Sequence, residues 1–328
     1  MSSIPYSRYL FYPVPWYSFL IVLGVVAALV LACREEKRVG LPKDTVIDLA
    51  LFIIPGGIIG ARIYYVVFSW EQFRNDLLSV FRIWEGGLAI YGGIIAGLFV
   101  LIAFCRHRHL NPLVLCDMIA PGIAFAQALG RWGNWFNIEA YGYSVSDPAL
   151  CFFPFAVQVP ADNMTWHLAT FFYESVWDFI IFIILLIIRH NRKRPAGKVF
   201  LCYLFLYAAG RLVIEELRSD SLYLSSGIRA SQLFSVMICI VILIWFIVFM
   251  HRNSRIPLLT RIMAFPAAAA SVSLVLYTLS VPLPFPDTDS VCGKVLYLLS
   301  CVVLLILCFL PMIPAGMYME EKHADDKD

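Results

Sequence analysis

Thirteen consecutive residues, Gly130-Arg131-Trp132-Gly133-Asn134-Trp135-Phe136-Asn137-Ile138-Glu139-Ala140-Tyr141-Gly142, hold one guanidinium, two carboxamides, one carboxylate and three glycines. Arginine grips phosphate through a planar two-pronged fork, and asparagine hydrogen-bonds ester or glycerol oxygens. The segment is therefore donor-rich and bendable, suited to an oxygen-rich anion. A polar turn that only caps a helix would explain one or two of these residues, not their density. Further on, Tyr207, Arg211 and Glu215 fall at i, i+4 and i+8 and so stack along one helix face, which Arg218 extends. The plain alternative there is an Arg211–Glu215 pair that satisfies itself. Glu174 and Asp178 also share a face, where two like charges repel unless a cation lies between them. Arg62 or Arg211 could be that cation, and a structural network is the default reading of the two acids.

These groups must be positioned by elements of an unusual composition. Of 328 residues, 61% are hydrophobic and 15% charged, against about 45–50% and about 25% in an ordinary soluble domain. The apolar residues come in runs near the length of a bilayer crossing, roughly 20 residues each. That excludes a soluble globular enzyme and makes the chain an all-α, polytopic membrane protein. The formal charge of +2 is too balanced to argue for nucleic acid; membrane lipids and membrane proteins are the expected partners. Nine scattered cysteines form no CxxC pair, which fits neither a disulfide framework nor a zinc site.

Nine apolar runs qualify as spans: 17–33, 46–69, 87–105, 112–130, 168–188, 198–216, 231–250, 262–282 and 291–317. The connecting segments on one side carry sixteen Lys and Arg and those on the other carry six. Cytoplasmic loops retain positive charge, so the amino terminus is expected outside and the carboxyl terminus inside. Val30-Leu31-Ala32-Cys33 looks like the end of a lipoprotein signal peptide. Its basic flank, Arg34, Lys37 and Arg38, follows the run instead of preceding it, so a first membrane helix is expected. The external segment 131–167 is rich in Trp, Phe and Tyr and reads as a small cap on the outer leaflet, or alternatively as an aromatic belt around a loop. Two similar strings, GGIIG at 56–60 and GGIIAG at 92–97, supply small residues for close helix approach, and coincidence explains their likeness better than duplication.

A charged side chain in hydrocarbon costs about 2.5–3.5 kcal/mol on insertion scales and needs a partner or a task. Arg62, Asp117, Glu174, Asp178, Arg211, Glu215 and Glu216 all stand within spans, whereas the last two runs have only Lys294 near an end. With Arg131 at the headgroup level, a phospholipid headgroup is the ligand these residues fit.

GRWGNWFNIEAYG closely resembles the signature of the prolipoprotein diacylglyceryl transferases, Gly-Arg-x-Gly-Asn-Phe-x-Asn-x-Glu-x-x-Gly, with Trp135 in place of Phe. Other matches follow in family order: Trp16-Tyr17, WEGGLAIYGGIIAG at 84–97, Phe172-Tyr173-Glu174-Ser175, and GRLVIEELRSDSLYL at 210–224. The resemblance covers roughly residues 12–250. It implies a seven-span transferase core, 1–255, followed by an extension, 256–328, with two added spans. It also implies a bacterial plasma-membrane enzyme, without cofactor or metal, that moves the diacylglyceryl group of phosphatidylglycerol onto the lipobox cysteine of a prolipoprotein signal peptide, forming a thioether and releasing glycerol phosphate. Arg131 and Arg211 would be catalytic. Tyr17, Gly92, Gly93, Asn134, Asn137, Glu139, Gly142, Tyr207 and Glu215 would bind substrate.

Two departures bear on the base. Tyr91 stands where many members have His before the Gly-Gly pair, and Leu168-Ala169 replace a usual His-Pro, with His167 one residue earlier. Tyr is a poor base at neutral pH, with an ordinary pKa near 10. By the loop assignment His167 is the only external histidine, so a histidine that assists the thiol should be His167. The alternative is a solvated His167, with Tyr91 only hydrogen-bonding a lipid oxygen. The sequence lacks HExxH, a Walker A loop and an Asp-rich span cluster, so metal-dependent phosphotransfer finds no support. An inactive lipid- or lipoprotein-binding relative and a membrane transporter are the rival readings; a transporter should show inverted repeats, which are not evident here.

Overall fold

The computed structural model describes residues 7–190, 195–219, 229–252 and 303. A short hairpin of β1 (Tyr9–Phe11) and β2 (Val14–Pro15) leads into α1 (Trp16–Val39), α2 (Thr45–Phe68), the single turn α3 (Trp70–Phe73), α4 (Ile90–Arg108) and α5 (Pro112–Asn137). A second hairpin, β3 (Ala156–Val159) and β4 (Thr165–Leu168), precedes α6 (Thr170–His190), α7 (Lys198–Leu217) and α8 (Ala230–Arg252). Helices α1, α2, α4, α5 and α6 are each long and apolar enough to cross a membrane. The chain is thus a mostly helical, multi-pass membrane protein. Each of the seven expected runs up to residue 250 corresponds to one long helix, including α7 and α8. The runs at 262–282 and 291–317 lie outside the described residues, apart from Val303.

Two boundaries differ from the sequence expectation for a physical reason. Helix α5 does not stop at residue 130 but continues to Asn137, so the first half of the polar signature is helical. It ends where Ile138 and Ala140 adopt left-handed backbone, φ 57° and 58°, a conformation that β-branched residues rarely take. The expected external segment then folds into the β3–β4 hairpin, paired from Ala156↔Leu168 to Val159↔Thr165, with short 3-10 turns at Pro148–Leu150 and Pro160–Asp162. Four-residue strands are too short to show a period in sequence.

The chain divides into two compact units, residues 29–119 and the remainder. In the first unit, α2 and α4 meet along the two glycine strings. A Cβ on Gly92 would run into the Gly60 carbonyl and Tyr64, and one on Gly60 would meet Ala96 and the Gly92 carbonyl. The strings therefore form one helix contact, with backbones touching because no side chain intervenes. Arg62 is 7% exposed, and its fork is filled by carbonyls: Val80 at 2.8 Å, Gly86 at 2.7 Å, Gly87 at 2.9 Å and Ser79 at 2.7 Å. Left-handed Gly86 and Gly87, φ 96° and 74°, turn the chain toward it. Its hydrogen bonds go to this loop and not to the acidic pair. In the same loop, the hydrogen bond from Arg82 at 2.6 Å holds Asp76 below the usual carboxylate range.

In the second unit, the first half of α1 lies along α5. Gly133 makes room for the Tyr17 ring, while Gly24 faces Ala126 and Gly122 faces Ala28. Trp16 stacks on Phe136 with centroids 4.8 Å apart. Helices α5 to α8 share a buried core that includes Ala124, Leu185, Phe205, Leu212 and Leu243.

Candidate active site

Helices α5, α6 and α7 each bring charged residues to one place. Glu174 of α6, 3% exposed, is the centre. Its Oε2 lies 2.7 Å from Arg131 Nε of α5, its Oε1 accepts from Arg211 Nη1 of α7, and Arg218 Nη1 stands 3.6 Å away. Arg211 Nη2 also donates to Glu215, and Arg131 Nη2 reaches the Tyr207 hydroxyl at 3.5 Å. Asp178, one turn further along α6 and 2% exposed, has Oδ2 without a hydrogen bond, 3.9 Å from Arg131 Nε. Three guanidiniums and three carboxylates thus share a buried site. The cation that pairs with both α6 acids is Arg131, whereas Arg211 joins Glu174 to Glu215, so neither Arg62 nor Arg211 is the expected bridge between Glu174 and Asp178.

The polar face continues along the bundle. Tyr203, one turn from Tyr207, stacks on it at 5.9 Å and donates to Gln127 of α5 at 3.0 Å. Gly210 has room for no side chain because the Trp177 indole packs on it, and that indole donates to the Leu206 carbonyl at 3.0 Å. This contact holds α6 and α7 close enough for Glu174 to meet Arg211. Trp132 likewise donates to Ser175 at 3.1 Å, and Ser175 to the Ala128 carbonyl at 2.8 Å, which fixes α5 against α6.

The other signature residues occupy the turn beyond α5. Asn137 donates to Glu139 at 3.0 Å and accepts from Arg8 at 3.2 Å. Asn134 and Glu139 line a small cleft with Trp135, Tyr141, Gln158 and Phe171; it holds about 20 Å³, room for roughly one water. Gly142 is a crossing point. A Cβ there would lie 2.5 Å from the Leu217 carbonyl and 2.8 Å from Leu168.

His167 lies in β4 and is buried, not solvated as the alternative reading had it. Its Nδ1 faces the Gly142 carbonyl at 2.9 Å and its Nε2 faces Asp162 at 2.8 Å. Neither hydrogen bond reaches the Glu174 cluster. Tyr91, Gly92 and Gly93 belong to the other unit: Tyr91 opens α4 half-exposed, and the two glycines serve the α2–α4 contact.

In the sequence Glu174 and Asp178 read as a structural network rather than as site residues. Their i, i+4 spacing was the available signal, but the convergence of three arginines on one of them needs the packing of three helices. A second cluster was missed outright: buried Arg229 donates to Glu216 at 2.9 Å, to the Glu215 carbonyl at 2.6 Å and to the Tyr143 hydroxyl at 2.9 Å. Gln232 adds a donor to Glu216 at 2.8 Å.

A multi-pass helical protein with paired guanidiniums at a buried site is the class this geometry defines. Residues 7–248 match the family model described as prolipoprotein diacylglyceryl transferase. Relatives described as phosphatidylglycerol–prolipoprotein diacylglyceryl transferase include one from Streptococcus equi subsp. equi, 44% identical over 243 residues, covering 74% of this chain and 92% of the relative. Others come from Limosilactobacillus reuteri, 42% identical over 250 residues (74% and 89%), and Enterococcus faecalis, 42% identical over 256 residues (76% and 91%). The chain belongs to the prolipoprotein diacylglyceryl transferase family.

Proposed function

We propose that this protein is the transferase its family is named for: it moves the diacylglyceryl group of phosphatidylglycerol to the lipobox cysteine of prolipoproteins, the first step of lipoprotein maturation. The sulfur forms a bond to the glyceryl carbon that carries the phosphate, the carbon–oxygen bond breaks, and glycerol phosphate leaves. The phosphate changes from a singly charged diester to a monoester that can carry two charges, so cations that strengthen their hold as the bond breaks accelerate the step. The observation that carries this reading is the convergence of Arg131 and Arg211, from the two strongest motifs, on one buried carboxylate. Their forks grip the phosphate, with Tyr207 and Glu215 orienting them. Asn134, Asn137 and Glu139 meet glycerol or ester oxygens, while Tyr17, Gly92, Gly93 and Gly142 shape the lipid's path. The thiol, with an ordinary pKa about 8.5, gives its proton to a base, for which Tyr91 and His167 are the candidates.

The enzyme works in the bacterial plasma membrane with its amino terminus outside and carboxyl terminus in the cytoplasm, as the sixteen against six basic loop residues support. Seven spans within 1–255 form the transferase core, the segment at 131–167 a cap on the outer leaflet, and 256–328 a two-span extension. The test is to incubate membranes containing the protein with phosphatidylglycerol and a lipobox peptide. The peptide should gain the mass of one diacylglyceryl group; a peptide left unchanged in active-control conditions overturns the reading.

A further inference from the structure

We infer that Arg229 is a positioning residue for the transfer, holding the end of α7 so that Glu215 aims Arg211; this rests on the function proposed above. Arg229 sits at the entrance to α8, 4% exposed, five residues beyond the 210–224 motif. One of its nitrogens donates both to the backbone carbonyl of Glu215, at 2.6 Å, and to the carboxylate of Glu216, at 2.9 Å. The other donates to the Tyr143 hydroxyl at 2.9 Å.

Each partner is one step from the candidate site. Glu215 is the residue whose side chain pairs with Arg211. Tyr143 directly follows Gly142, the last residue of the polar signature, and its backbone nitrogen donates to the Leu217 carbonyl at 3.1 Å. A single guanidinium therefore ties together the last turn of α7, the first turn of α8 and the end of the signature. The Glu215 carbonyl lies in that last turn, where its backbone donor is the C-cap nitrogen of Arg218 at 3.2 Å, and the Arg229 guanidinium adds a second donor at 2.6 Å. Gln232 completes the set by donating to the Glu216 carboxylate and, at 3.3 Å, to the Leu212 carbonyl. A planar fork that serves a carboxylate, a carbonyl and a hydroxyl at once cannot be reproduced by a point charge.

The consequence falls on turnover more than on lipid binding. If the turn holding Glu215 shifts, Arg211 loses its aim at the developing phosphate charge, and a misplacement of about 1 Å costs up to about a hundredfold in rate. Substrate binding draws on many other contacts, so KM should move little. The experiment compares the full-length wild-type protein with Arg229→Lys, Glu216→Gln and their double variant in phosphatidylglycerol vesicles, measuring kcat and KM for phosphatidylglycerol at saturating lipobox peptide, together with thermal unfolding. We expect Arg229→Lys to lower kcat at least tenfold with KM within twofold. The double variant should cost no more than the worse single variant, as for residues acting as one unit. The inference is overturned by an unchanged kcat in Arg229→Lys, by a loss confined to KM, by additive losses in the double variant, or by a fall in activity that tracks only the unfolded fraction. Should Arg229→Lys not fold, Tyr143→Phe carries the same comparison. A wild-type protein that transfers nothing refutes the proposed function instead, so the two failures are distinct.

Discussion

Glu174→Gln keeps the shape of the side chain and removes the charge that three guanidiniums share. Removing one partner of a buried ion pair costs about 3–5 kcal/mol, because the remaining charge stays buried without compensation. The side chains of Arg131 and Arg211 are 19% and 16% exposed, so solvent screens part of the loss and places it at the lower end, about 3 kcal/mol. At about 2–4 °C per kcal/mol for chains of 150–250 residues, the unfolding midpoint should fall by about 6–12 °C. Activity should fall further than stability. Without Glu174, Arg131 keeps only the weak contacts to Asp178 at 3.9 Å and Tyr207 at 3.5 Å, and Arg211 keeps Glu215. The two forks then drift apart, at a cost of about a hundredfold in transfer. The assay is thermal unfolding of the detergent-solubilised protein beside diacylglyceryl transfer to a lipobox peptide. A Glu174→Gln protein that unfolds within about 2 °C of wild type and transfers at a comparable rate would refute the role of Glu174 as the organising charge.

Arg131→Lys and Arg211→Lys keep the charge but lose the planar fork, so both should cut transfer severely while the protein stays in the membrane; near-normal turnover in Arg211→Lys would reduce that residue to a structural ion pair. Gly92→Ala should destabilise by about 1–3 kcal/mol through overpacking against Gly60 and Tyr64, and an unfolding midpoint equal to wild type would contradict the α2–α4 backbone contact. His167→Ala should lose about 1–3 kcal/mol, since it strands the buried Gly142 carbonyl, whereas the exposed Asp162 turns to water. Compared with Tyr91→Phe between about pH 6 and 9, an unchanged rate and pH profile in folded His167→Ala would exclude it as the base. Truncation after Arg255 removes no motif residue, and the family match itself ends at residue 248. The truncated protein should insert and retain measurable transfer; a folded but inactive product would make the extension part of the machinery.

The helices were legible because membrane spans announce themselves by run length alone, and each of the seven runs up to residue 250 returned as one helix, although α1 and α5 extend past their expected ends into polar residues, to Val39 and Asn137. Charged residues inside those runs were equally legible, since hydrocarbon tolerates them only with a partner. Which partner was not. Arg62 and Arg211 were equivalent candidates in sequence, yet Arg62 turned to loop carbonyls 17 to 25 residues away, while Arg131 and Arg211 met Glu174 across 43 and 37 positions. The glycine strings at 56–60 and 92–97 were seen as similar, but similarity along the chain does not reveal that they touch. The left-handed turn at Ile138–Ala140 was not legible, because Ile and Ala carry no turn chemistry; the β3–β4 hairpin was not, because its four-residue strands are too short to show a period, although Pro160, Asp162 and left-handed Asn163 in its loop are turn formers.

The resting pairing of the arginines is itself informative on the proposed reading. A guanidinium without an anion would be costly inside the bundle, so a site that awaits a phosphate must be neutralised meanwhile. Glu174 does this with one oxygen toward Arg131 and the other toward Arg211, which also spaces the two forks as a tetrahedral anion could use them. Exchanging one carboxylate contact for a phosphate contact changes little in the ground state, so it contributes little to lipid affinity. The balance shifts only when the leaving phosphate gains its second charge, and the interaction is then stronger in the transition state than before it, which is the condition for raising turnover. Arginines held by carboxylates are thus poorer at capturing phosphatidylglycerol than free ones would be, but they are better placed to break its carbon–oxygen bond.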